Sequence, residues 1–98
     1  MHAFEVSDSS PDVFLVKVRE ALAGRSLGQI ASLSREGQEL VVKFSRLGTS
    51  EVRYRIENVG AGFRATKASE KIALAHRAFR EDIESRLQKT LEKLGARF

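Results

Sequence analysis

The sequence predicts an α+β fold in the order β-α-β-β-β-α, with two helices packed on one face of a small antiparallel sheet. Three observations carry that expectation. Apolar and polar residues alternate with period two through the middle of the chain. A helix start signal stands at Ser10–Asp12. A long amphipathic stretch runs from Lys67 to Leu94. A chain of 98 residues, 42% hydrophobic and 31% charged, makes one soluble domain, residues 1–98.

The first strand is read at His2–Ser7, with Phe4 and Val6 on one face. Ser10 then offers an N-cap, Pro11 suits the first helical position, and Asp12 suits the positive end of the helix dipole. Phe14, Val18, Ala21 and Leu22 share one helical face. Leu27, Ile30 and Leu33 continue that spacing past a weak point at Gly24–Gly28. The expectation is therefore a long or broken helix ending before "REGQ". Next, Leu40, Val42 and Phe44 alternate on one strand, and Val52, Tyr54 and Ile56 on the next, with "RLGTS" as the hairpin turn. "NVGAG" turns again, and "FRATK" returns with Phe63 and Ala65 facing in. The last helix is expected from near Ser69 to Gly95, with Ile72, Phe79, Ile83, Leu87, Leu91 and Leu94 as its apolar stripe.

Charge is unevenly placed. The net charge is +4. Residues 1–63 balance eight basic against eight acidic side chains, whereas residues 64–98 carry nine basic against five acidic. The whole excess lies in the last third, which favours a polyanionic partner. On the last helix, Lys71, Arg86, Lys89, Lys93 and Arg97 fall on one flank of the stripe, and most of the acids lie opposite.

Catalytic patterns are weak. His76 lies on the apolar side of the last helix between Ile72 and Phe79, where a boundary histidine packed by its ring is the better reading than a metal ligand. Glu81, Asp82 and Glu84 point in different directions around a helix, so they do not converge as an acid–base pair. The "GAG" at 60–62 neither follows a buried parallel strand nor opens a helix, so it is a turn and not a phosphate loop. These patterns point to a protein that is not an enzyme and uses no metal or cofactor. There is no cysteine, no apolar run near the roughly 20 residues of a membrane span, and no signal-peptide pattern. A cytoplasmic location is the expectation.

Three binding functions remain. The basic flank fits nucleic-acid phosphates. The open sheet face or a sheet edge fits a protein partner or a homodimer. A cavity between sheet and helix fits a small apolar ligand. No run of exposed aromatics is available to stack single-stranded bases, so a nucleic-acid partner is read by phosphate and shape, as structured ribosomal RNA is.

Three segments resemble the hibernation-promoting factor and ribosome-associated inhibitor family, also known as sigma-54 modulation proteins. "MHAFEVSDSS" is similar to its opening strand. "VREALAGRSLGQIASLSREGQELVVKF" is similar to its first helix, connecting turn and second strand. "FRATKASEKIALAHRAFREDIESRLQKTLEKL" is similar to its last strand, loop and final helix. In "ALAHR", Arg77 stands where the family carries an acid. The resemblance implies a ribosome-associated factor that binds the small subunit through rRNA phosphates and inhibits or protects idle ribosomes under stress. It implies RNA contacts from Lys89 and Lys93, with Arg86, Lys71 and Arg97 beside them, and from Arg19 and Arg25 on the first helix.

The double-stranded-RNA-binding domain is similar in "TKASEKIALAHRAF" but lacks a leading strand and has a shorter final helix. A polyhydroxyalkanoate-granule type of small protein is similar too, and it implies an extra strand at Gly28–Ser34 and no RNA. The state of residues 24–33 therefore separates the readings. One long helix favours the ribosome factor, and a separate strand favours a ligand-binding or interaction module.

Overall fold

The computed structural model of the protein describes residues 1–46 and 48–98. Leu47, in the turn expected at 46–50, lies outside the described residues. The elements are β1 (Phe4–Val6), α1 (Pro11–Leu22), α2 (Ser26–Ile30), β2 (Ala31–Glu36), β3 (Glu39–Phe44), β4 (Ser50–Val59), β5 (Gly62–Lys71), a 3-10 turn (Leu74–His76), α3 (Arg80–Lys93) and β6 (Ala96–Arg97). The six strands form one sheet in the order β2-β3-β4-β5-β1-β6, antiparallel throughout. The α+β class and the antiparallel sheet are as the sequence predicts.

The N-terminal signals act as expected. The Ser10 hydroxyl accepts from the Val13 amide at 3.3 Å, Pro11 opens α1, and Phe14, Leu15, Val18 and Leu22 are buried. Gly24, at φ +75°, breaks the helix. The chain then folds back so tightly that a Cβ at Gly28 would stand 2.2 Å from the Leu22 carbonyl oxygen.

Three boundaries differ from the sequence expectation. First, residues 31–36 are a separate strand, not the end of a helix. Leu27 is buried in α2 and Leu33 in β2, so their helical spacing is a coincidence of two elements. The cause is non-local: Ala31 to Glu36 pair with Phe44 to Glu39 and cover the edge of β3. Second, β5 continues to Lys71, where the last helix was expected to begin. The ten-residue β4 supplies ladder partners that far, with Lys71 opposite Glu51. A bulge opposite Arg53 and Tyr54 leaves Ala68 without a partner. Third, α3 begins only at Arg80, after a turn that buries His76. Gly95, at φ +109°, ends α3 as expected, and β6 then pairs with β1.

The inward faces are those the alternation predicts: Phe4, Val6, Leu40, Val42, Phe44, Val52, Tyr54, Ile56, Phe63 and Ala65 are all buried. From α3, Ile83, Leu87 and Leu91 complete the core, and Ile72 and Leu94 pack at its margin. Phe4 is the centre of an aromatic cluster, with ring centroids 6.4 Å from Phe14, 5.9 Å from Tyr54 and 6.2 Å from Phe63. The helical residues belong to the same core as this inward face, which leaves the other face of the sheet without a helical layer; on that face Val41, in register with Arg53, is nonetheless fully buried.

Candidate polyanion groove and apolar cleft

Arg86, Lys89 and Lys93 stand at i, i+3 and i+7 on α3, and so form one stripe. Arg25, at the N-terminal cap of α2, comes up beside them. Together with Leu22, Ser26, Leu27 and Thr90 these four cations line a groove of about 510 Å³. No acidic side chain lines it among the described residues. Arg86 is anchored, with Nη2 donating to the Ser26 hydroxyl at 3.3 Å and Nη1 3.9 Å from Asp82. Arg25, Lys89 and Lys93 make no ion pair among the described residues.

The other expected RNA contacts fall elsewhere. Lys71 is on β5 and lies in register with Glu51, on the sheet face opposite the buried Val52 and Tyr54. Arg97 is on β6 opposite Glu5, between the buried Phe4 and Val6, with Nη2 3.9 Å from that carboxylate. Both therefore occupy the open face of the sheet, one sheet thickness away from α3. The sequence reading extended the helix past both of its ends. Arg19 is exposed on α1 and does not line the groove.

The open face is self-neutralised. Arg53 reaches Glu51 at 2.7 Å, Glu39 at 3.2 Å and Glu36 at 3.5 Å, and Arg64 reaches Glu5 at 2.6 Å. The hydrogen bond from Arg53 holds the Glu51 carboxyl below its ordinary pKa. A second network ties the first turns of α3 to β5 and to the Met1 amine. Lys67 bonds Glu70 at 2.8 Å, Arg80 bonds Glu70 at 2.7 Å and Glu84 at 2.9 Å, and Glu84 bonds the Met1 amine at 2.7 Å. Hydrogen bonds from Arg80 and Lys67 hold Glu70 down to about 2. Burial pushes Glu84 up, but its bonds to the Met1 amine and Arg80 outweigh this and keep it lowered. These networks occupy Lys67, Arg80 and Arg53 and leave the groove as the acid-free basic surface of α3.

On the other side of Arg86 is a cleft of about 310 Å³ between α2, β3 and α3. Its lining is apolar at Ile30, Phe44, Phe79 and Ile83, with Arg46, Arg86, Asp82 and His76 around it. His76 is only 1% exposed, deeper than the boundary position expected for it. Its Nδ1 lies 2.5 Å from the Ser50 hydroxyl, and its Nε2 bonds the Arg46 carbonyl. The Ser50 hydroxyl also accepts the Ala73 amide at 2.8 Å. A consistent tautomer follows: Ser50 donates to Nδ1, and Nε2–H donates to Arg46. Ser50 is 0% exposed, so this hydroxyl–imidazole pair has no access for a substrate carbonyl and acts as a latch. Sequence reasoning missed Ser50. The available signal was a serine at an inward position of an otherwise apolar alternation, which demands a buried partner.

Comparison with protein-family models, with curated proteins and with solved structures finds no match to this chain. No helix is long and apolar enough to cross a membrane among the described residues.

Proposed function

We propose that this protein binds a polyanion through the groove between α2 and α3. The observation that carries the reading is the convergence of Arg25, Arg86, Lys89 and Lys93 on one acid-free concave surface. Phosphates spaced along a nucleic-acid backbone match a row of cations in such a groove. The resemblance in sequence names structured rRNA of the small ribosomal subunit as the first partner to test, with inhibition or protection of idle ribosomes as the consequence. The separate strand β2 counts against that family order, so the groove, not the resemblance, carries the proposal.

The test is co-sedimentation with small ribosomal subunits, and binding to a structured RNA, across a salt series. Four engaged cations give a log–log salt slope of about three to four. Arg86, Lys89 and Lys93 changed together to glutamate abolish binding and leave far-UV circular dichroism unchanged. Retained binding by that triple variant refutes the proposal.

A second reading, a small-ligand module, is favoured by β2 and by the apolar cleft that α2, β3 and α3 enclose.

A further inference from the structure

We infer that the cleft is a binding site for a small monocarboxylate with an apolar body. The inference rests on the small-ligand reading and not on the polyanion groove.

The cleft's volume of about 310 Å³ is at the lower end of the range for ligand sites, roughly 300–1,000 Å³. Its wall combines the aliphatic Ile30 and Ile83 with the aromatic Phe44 and Phe79. Phe79 is 36% exposed, an unfinished hydrophobic contact at the mouth. An apolar ligand body completes it, and burying that surface drives binding.

Charge sets the head group. Arg46 and Arg86 line the cleft with a single acid, Asp82. Asp82 sits 3.9 Å from Arg86, and Arg86 is further held by Ser26. Arg46 makes no ion pair among the described residues. Its backbone is fixed from below, because the buried His76 donates to its carbonyl and is itself held by Ser50. Arg46 is exposed at the cleft and its guanidinium is not engaged by an acid among the described residues, so it can meet a carboxylate with two parallel hydrogen bonds while the ligand's body lies on the apolar wall. A cationic head would face two arginines against one acid, and a neutral head would leave Arg46 without an anion.

The test uses octanoate as the probe, octanol as its uncharged counterpart, and amide chemical shifts as the readout. Saturable shifts in the millimolar range clustered at Ile30, Phe44, Phe79 and Ile83 support the site. Arg46→Ala weakens octanoate about tenfold or more. Phe79→Ala weakens both probes. Lys89→Glu with Lys93→Glu, which strips the groove, leaves octanoate affinity unchanged, so failure of the groove and failure of the cleft are separable. The inference is overturned by shifts that map elsewhere, by octanol binding as tightly as octanoate, by an Arg46→Ala variant of unchanged affinity, or by no saturation in the millimolar range.

Discussion

Replacing Ser50 by alanine tests the latch that shapes the cleft. The change removes one oxygen from a site with no solvent access. Two groups lose their partner: the buried Nδ1 of His76 and the Ala73 amide. An unsatisfied buried group costs about 1–3 kcal/mol. Nδ1 carries that full cost, while the half-buried Ala73 turns partly to water and contributes about 1 kcal/mol. The sum is about 2–4 kcal/mol. In a domain of this size each kcal/mol lowers Tm by about 4–8 °C, so the expected fall is about 8–32 °C. Urea unfolding followed by far-UV circular dichroism measures the free energy directly. His76→Phe keeps a ring in place and leaves the Arg46 carbonyl without its donor. Because Ser50 and His76 act through one bond, the double variant should cost at least ~1 kcal/mol less than the sum of the singles. A loss below ~0.5 kcal/mol for Ser50→Ala, or strict additivity in the cycle, refutes the latch.

Other outcomes follow from the same structure. Gly62→Ala places a Cβ 1.8 Å from the Val6 carbonyl oxygen, so β1 and β5 must part; a loss of at least about 2 kcal/mol in urea unfolding is expected. Glu70 has a folded pKa of about 2 against an ordinary 4.5, so its contribution is complete above 4.5 and is lost as pH falls from there towards 2. Glu70→Gln should flatten that acid limb in a pH series of urea midpoints, by no more than ~1 kcal/mol because the pair is partly exposed. Lys71→Glu with Arg97→Glu, on the open face, should leave RNA co-sedimentation and its salt slope unchanged.

The strands were legible where the cause is local. Leu40, Val42 and Phe44, and then Val52, Tyr54 and Ile56, alternate as a half-buried sheet must, and each is buried. The start of α1 was legible because Ser10 and Pro11 act on their own neighbours. β2 was not. "ASLSRE" has weak strand propensity, and its state is set by the edge of β3, which the local pattern does not contain. The tail of β5, "KASEK", is rich in helix formers and is overridden by the length of β4. The same split governs the site. Arg86, Lys89 and Lys93 were legible as a helical stripe, whereas Arg25 joins them only because α2 folds back after Gly24. Lys71 and Arg97 were misplaced because a helical wheel has no ends of its own.

The bulge at Ala68 sets the polarity of everything beyond it. Side chains on a strand alternate sides, so one unpaired residue reverses the parity of all that follow. With Ala68 set aside, Glu70 lies in register with Val52, on the side from which Arg80 bonds it, and Lys71 lies opposite Glu51. Pair that alanine with Arg53 instead, holding the register up to Lys67, and the ladder would set Ser69 against Val52 and Glu70 against Glu51, and turn Lys71 towards α3. Deleting Ala68, by contrast, would remove the bulge and leave Glu70 opposite Val52 and Lys71 opposite Glu51, so the one extra residue is what lets the strand bend without moving either charge across the sheet.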